Sequence, residues 1–186
     1  MIEGADGQPM LEGLRIVDMT SVVFGPYAAQ ILCDFGAEVI KVEAPGGDFY
    51  RHLAKPAKTA GMAPGFHALN RGKKSLGLNL KDPGDAETLR SVLREADVFI
   101  HNVRDTAIEK LGFGYDAVKA LSPQIIYVHC VGFGSTGPYA GLPAYDDVIQ
   151  AASGTTSLLP RVDGDEKRRY FPSLIADKVA GLHAAY

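Results

Sequence analysis

The chain has 186 residues, the length of one domain and enough to bury most of the surface exposed on unfolding. Its composition, 46% hydrophobic and 22% charged with both signs interspersed, is that of a globular domain rather than a disordered or fibrous one. A net charge of −3 leaves no basic excess for a nucleic acid, no apolar run reaches the ~18 residues of a membrane span, and the N-terminus lacks a signal-peptide layout.

Residues 1–10, MIEGADGQPM, read as a polar, disordered lead-in. From residue 14 short apolar runs alternate with helical stretches. LRIVDM (14–19) predicts a strand, and GPYAAQILCDFG (25–36) a helix with Pro26 in its first turn and Gly36 at its end. AEVIKVE (37–43) is the next strand. Residues 44–74 look irregular, rich in Gly, Pro and Lys, and longer than an ordinary connection, which favours a binding loop. SLGLNL (75–80) gives a third strand, PGDAETLRSVLREA (83–96) a helix and DVFIHN (97–102) a fourth strand. Helical pieces at 105–111 and 115–121 precede the strand QIIYVHCVGF (124–133).

This alternation predicts an open, doubly wound α/β fold: a Rossmann-like parallel sheet with helices on both faces. DVFIHN and QIIYVHCV are apolar on both faces, as strands covered from both sides must be. Ligands of such sheets bind beyond the carboxyl ends of the strands. Those ends are Thr20–Phe24, Glu43–Gly47, Lys81, Asn102–Arg104 and Gly132–Gly137. Cys33 and Cys130 sit in apolar segments without CxxC spacing and read as buried thiols of a reducing compartment, the cytoplasm.

Several motifs have plainer readings. GFGSTG (132–137) matches the dinucleotide fingerprint, but Pro138 and Pro143 forbid the helix that the fingerprint needs, so it reads as a glycine turn. GFHALNRGKKS (65–75) has six residues between its glycines where a phosphate loop has four, and it precedes a strand. The basic residues around it, Lys55, Lys58, Arg71, Lys73, Lys74 and Lys81, suit a small polyanion or are simply a solvated loop. The five histidines lack zinc spacings, so no metal site is expected, and no G-x-S-x-G marks a serine hydrolase. In AYDDVIQAASG (144–154), Asp146 and Asp147 fall at a helix N-terminus, with Tyr145 just before them.

FPSLIADKVAGLHAAY (171–186) closes the chain. With Ser173 as N-cap, a helix places Ile175, Val179, Leu182 and Tyr186 on one stripe, which reads as core-facing. The opposite face carries Asp177, Ala180, Gly181 and Ala184, small enough for a backbone or a ligand to approach. Asp177 is then either a helix-start acid favoured by the dipole or a functional carboxylate.

Taken in order, LEGLRIVDMTSVVFGPYAAQILCDFGAEVIKVEAPGGD, NRGKKSLGLNLKDPG, the ADVFIHNVR to IEKLGFGYD stretch, GFGSTGPYAGLPAYDDVIQAASG and FPSLIADKVAGLHAA resemble the class III CoA-transferases. The resemblance runs from residue 11 to the last residue and implies the N-terminal part of a CoA-binding Rossmann-like large domain over 11–186, without the second half of the family fold. It implies transfer of coenzyme A from an acyl-CoA donor to a carboxylic acid, with Asp177 as the nucleophile that passes through an anhydride and an aspartyl-CoA thioester. CoA contacts carry over to Val22, Val23 and Phe24, to Leu78 and Lys81, to Asn102 and Val103, to Lys110 and Leu111, and to Tyr145. No resident cofactor is implied, since coenzyme A and acyl-CoA are substrates.

The family's dimers are interlocked, so the resemblance also implies a homodimer or a partner chain supplying the missing half, with this chain a fragment. A helix ending at LHAAY without a capping glycine fits that expectation. Two departures stand out: Val23 where many members carry Gln, and Ala44 where an arginine is common. The same fold hosts α-methylacyl-CoA racemases, but their histidine corresponds to Tyr145, and tyrosine, with a pKa near ~10, is a poor base at neutral pH. The alternatives to a transferase half are a racemase half and a non-catalytic CoA-binding remnant.

Overall fold

The computed structural model describes residue 4 and residues 7–53 and 58–186. Of the lead-in only Gly4 and residues 7–10 are among them, and Lys55 lies outside the described residues. In chain order the elements are β1 (Arg15–Met19), α1 (Phe24–Asp34), β2 (Glu38–Glu43), a 3₁₀ turn at Phe49–Arg51, α2 (Pro64–Asn70), β3 (Lys74–Gly77) and α3 (Pro83–Arg94). Then come β4 (Val98–His101), α4 (Asp105–Lys110), α5 (Tyr115–Leu121), β5 (Ile126–His129), α6 (Asp146–Ala152), a 3₁₀ turn at Thr155–Ser157, α7 (Leu158–Asp163) and α8 (Ile175–Ala185). None of the described helices is long and apolar enough to cross a membrane.

The strands form one parallel sheet in the order β3-β2-β1-β4-β5. Starting at β1 in the middle, the chain winds outward to β3 and then crosses back to β4 and β5. That reversal opens a crevice at the carboxyl edge between β1 and β4, where doubly wound folds bind ligands. Val17, Met19 and Phe99 point to one face and pack with Leu89, Leu93, Ile108 and Val118 of α3, α4 and α5. Ile16, Val39, Val98 and Ile100 point to the other and pack with Ala28 and Ala29 of α1 and Ala184 and Ala185 of α8. The expected doubly wound α/β architecture is the observed one.

Three local expectations are corrected. The segment 44–74 is not uniformly irregular: it folds the 3₁₀ turn and then α2, with Pro64 opening the helix where its missing N–H costs nothing. β5 is an edge strand, half open to solvent rather than covered on both faces, with Ile126 60% exposed.

The largest correction concerns α8. Its N-cap is Leu174, because Ser173 is turned away with its carbonyl accepting from the Ile175 N–H. The supposed core stripe faces outward: Val179, Leu182 and Tyr186 are all exposed. The small-residue side is the packed one, lying along α1. A Cβ on Gly181 would stand 2.9 Å from the Phe24 carbonyl oxygen and 2.9 Å from Tyr27 Cδ1. Close helix approach, rather than side-chain bulk, therefore decides which face is buried. Alanine at an exposed helical position normally gains about 1 kcal/mol over glycine. Gly181→Ala is expected to lose stability instead, by about 1–3 kcal/mol from overpacking, as a lower thermal midpoint will show.

The glycine-rich run 132–141 forms turns and no helix, as expected for an accidental fingerprint. Gly132 has its own reason: a Cβ there would collide with the Ala144 methyl group.

Candidate active site

The crevice at the carboxyl edge holds a cavity of about 260 Å³ lined by the ends of four strands, with Met19, Val42 and Glu43, Leu78, and Val103 among its walls. Lys81 and Leu111 complete it, so four residues singled out in the sequence, Leu78, Lys81, Val103 and Leu111, meet here. Ala44 lines the same cavity, leaving the wall apolar where an arginine had been looked for. Lys110, in the last turn of α4, is exposed and not among the lining residues.

Asn102, at the end of β4, serves the protein itself. Its side chain pairs with the Ser21 backbone like a peptide group: Oδ1 accepts from the Ser21 N–H (3.0 Å) and Nδ2 donates to the Ser21 carbonyl (3.0 Å). This ties the β1–α1 turn, with Val22, Val23 and Phe24, to β4. Val22 is exposed with φ 71°, Val23 is buried, and Phe24 opens α1. Since the Val23 side chain points into the protein, only the backbone at that position can face a substrate.

The basic cluster of the irregular segment dissolves into ion pairs. Lys73 Nζ is buried and contacts Asp18 Oδ2 (2.9 Å), the Pro26 carbonyl (2.9 Å) and Asn70 Oδ1 (3.0 Å). Arg71 pairs with Asp34 and Lys74 with Glu38. Lys41, also buried, donates to the Thr20 carbonyl (2.8 Å) and pairs with Asp48 (3.2 Å). Burial works against ionising Asp18, but Lys73, Lys41 and the Thr20 hydroxyl outweigh it, so its carboxyl is held below the usual range. Glu43 is penalised by burial too, yet Arg51 and the Asp48 N–H hold it at about 2. Among the basic residues named from sequence, Lys81 lines the cavity.

Under the crevice floor His101 is buried and stacks on His129, with Nε2 2.7 Å from the Tyr127 hydroxyl. Burial, with a smaller push from His129, lowers its pKa to about 4, so it is neutral at pH 7.

Asp177 sits in the first turn of α8, half-buried. It lies one turn, about 6 Å of helix rise, before Gly181, which packs against Phe24 and Tyr27 of α1. The β1–α1 turn leaves the cavity at Met19 and ends at Phe24 against Gly181 of α8. The start of α8 is fixed by α6. Asp146 Oδ1 accepts from the Asp177 N–H (3.0 Å), capping α8 from outside, and Asp146 Oδ2 accepts from Gln150 Nε2 (2.6 Å). Gln150 also donates to the Ser173 carbonyl (3.1 Å) and accepts from the Phe171 N–H (2.8 Å). Burial first, and then the Asp146 charge, push the Asp177 carboxyl up to about 6. Tyr145, the N-cap of α6, is exposed.

The position of Asp146 at the start of α6 suggests a cap for its own helix; its carboxylate caps α8 instead. Gln150 was missed, although its i, i+4 spacing from Asp146 is a side-chain pairing signal. Asp48 and Lys41 were missed because their partners lie on other elements.

Comparison with known proteins gives the assembly a context. A succinate–glutarate CoA-transferase of Agrobacterium fabrum is 36% identical over 190 residues, covering 99% of this chain and 47% of that protein. A formyl-CoA:oxalate CoA-transferase of Streptomyces coelicolor is 40% identical over 173 residues, 93% of this chain and 41% of its own length. The crystal structure of a CAIB/BAIF family protein from Brucella suis superposes with a TM-score of 0.87 at 38% identity, covering 94% of this chain and 46% of that one. The chain thus spans less than half the length of each of these relatives. Residues 11–186 match CoA-transferase family III, and the chain belongs to that family.

Proposed function

We propose that residues 11–186 are the coenzyme-A-binding part of a class III CoA-transferase, with Asp177 as the nucleophile. The observation that carries this reading is the setting of Asp177. It is half-buried beside a second carboxylate, in the first turn of the helix that packs on α1, and its carboxyl is raised to about 6. A carboxylate with a raised pKa is more nucleophilic once ionised and is still largely ionised at pH 7.

In the proposed sequence the Asp177 carboxylate attacks the thioester carbonyl of a donor acyl-CoA. The C–S bond breaks, leaving an acyl-aspartyl anhydride and CoA thiolate. The thiolate attacks the aspartyl carbonyl, releasing the donor carboxylate and leaving an aspartyl-CoA thioester. An acceptor carboxylate then reverses the two steps and departs as the new acyl-CoA. Thioester energy is conserved because every intermediate is an activated acyl group, anhydride or thioester, and the released CoA thiolate rather than water attacks each anhydride. In this reading the cavity at the carboxyl ends of β1 to β4 takes the nucleotide end of CoA, with Lys81 facing phosphate, and the Val22–Phe24 turn, which follows Met19 of the cavity wall, guides the rest of the molecule toward α8.

A second, apolar cavity of about 450 Å³ runs between α6 and α8, past Ile149, Ile175 and Val179, and does not include Asp177. With the exposed Leu182 and Tyr186, it supports cover by further protein, a second copy in a homodimer or the remainder of a longer chain. The two free thiols suit the cytoplasm.

Incubation of the chain with acyl-CoA, trapping with borohydride or hydroxylamine and peptide mapping tests the reading. The expected adduct is on Asp177, forming faster as pH rises through about 6 and levelling off above it. Bound acyl-CoA with Asp177 unmodified throughout that range would refute the assignment.

A further inference from the structure

We propose that Asp48 is a positioning residue for coenzyme A, which holds Val22 in a left-handed conformation and so sets the Ser21–Phe24 turn. The inference rests on that turn contacting CoA, as in the functional reading above.

Among the described residues, Val22 is the one non-glycine with positive φ, at 71°. A β-branched residue is strongly disfavoured there, and such a conformation persists only where its surroundings over-determine it. Three side chains from different elements supply that constraint. Asn102 of the β4 end takes both Ser21 backbone groups, and Lys41 of β2 takes the Thr20 carbonyl. Asp48, beyond β2, presents both carboxylate oxygens to the Val22 N–H at 3.3 Å. Its own place is fixed by Lys41 and by the Tyr50 N–H it accepts at 2.9 Å, and its side chain is only 1% exposed. The first two clamps act before Val22, and Asp48 acts on the strained residue itself. The amide is drawn inward while the Val22 side chain stays exposed at the carboxyl edge of the sheet, immediately before α1.

Asp48→Asn keeps the size and one acceptor oxygen but removes the charge. Titration of the 186-residue chain with CoA is expected to show about 5- to 150-fold weaker binding in Asp48→Asn, the range that corresponds to releasing one strained residue. The Val22 amide–Hα coupling in an ¹⁵N-labelled sample should shift away from its left-handed value. Adding Val22→Gly to Asp48→Asn should recover most of the affinity, because glycine takes positive φ without strain. A role limited to pairing Lys41 predicts no such rescue. Unchanged coupling and affinity in Asp48→Asn, or a double variant no better than the single, overturns the proposal. Should Asp48→Asn not fold, Val22→Gly alone decides: relief of strain raises the thermal midpoint, and an unchanged or lower midpoint overturns the clamp. Absence of CoA binding by the unmodified chain would instead count against the functional reading, and the coupling measurement would still decide whether Asp48 holds Val22.

Discussion

Asp177→Asn is expected to abolish the CoA adduct completely and, at neutral pH, to raise the thermal midpoint of the protein. The two effects share one cause. Burial and the Asp146 charge make the ionised Asp177 carboxylate costly to the fold, which is what lifts its pKa to about 6. A carboxyl with a raised folded-state pKa contributes most to stability below the ordinary carboxylate pKa, and that contribution is lost as pH rises through about 6. Asparagine carries no charge at any pH, so its advantage should be absent near pH 4 and full above pH 7. Discounted for the solvent that still reaches the group, the gain is about 1 kcal/mol, or a rise of about 2–4 °C for a chain of this size. CoA affinity should be little changed, since the crevice residues are untouched. Melting curves at several pH values, beside adduct mass spectrometry, check both halves. A variant that lost the adduct with no pH-dependent gain would separate the chemistry from the proposed electrostatics.

Lys73→Met should carry the largest stability loss of any single substitution considered. Lys73 is buried and has three oxygen partners, Asp18, Pro26 and Asn70, so methionine replaces its bulk but leaves Asp18 as a buried carboxylate short of a counter-charge. Removing one partner of a buried pair costs about 3–5 kcal/mol. At about 2–4 °C per kcal/mol, the midpoint falls by roughly 6–20 °C. The same network dictates acid sensitivity. The folded pKa values of Asp18 and Glu43 are depressed, Glu43 to about 2, so their contribution is present above the ordinary carboxylate range and is lost as pH falls toward 2. Lys73→Met should flatten the part of that loss due to Asp18. Chemical denaturation at pH 7, and at steps from pH 5 down toward pH 2, measures both.

How much of this was legible in the sequence follows from the range of the forces involved. Alternating apolar runs located β1, β2 and β4 to within a residue or two, because a buried parallel strand is written in consecutive residues. The order of the strands, β3-β2-β1-β4-β5, is not written in those runs and comes from the structure. Periodicity alone leaves Asp177 open between a helix-start acid and a functional carboxylate, and it is the resemblance to the family that singles it out. Its helix was nevertheless turned the wrong way. A short helix with one stripe of Val, Leu and Tyr and another of Gly and Ala can bury either, and the choice was made by α1, whose own Ala28 and Ala29 invite close approach. The basic residues misled for a related reason. Asp18, Asp34 and Glu38, which neutralise Lys73, Arg71 and Lys74, are far away in the chain and are brought opposite them only by the sheet. The strain at Val22 had no local mark at all, since it is imposed by Asp48 and its neighbours through tertiary contact.

The seam between α1 and α8 also has a kinetic meaning. Phe24 and Gly181 are far apart in sequence, and joining them closes a long loop, an entropic cost that must be met before the seam returns any contact energy. The sheet and its nearer helices can assemble first, and α8 then docks onto a surface already formed. Weakening the seam should therefore hasten unfolding far more than it slows folding. Asp177, carried at the head of α8, acquires its burial and its Asp146 neighbour only when that helix seats, so the carboxylate proposed as nucleophile is matured by that docking step.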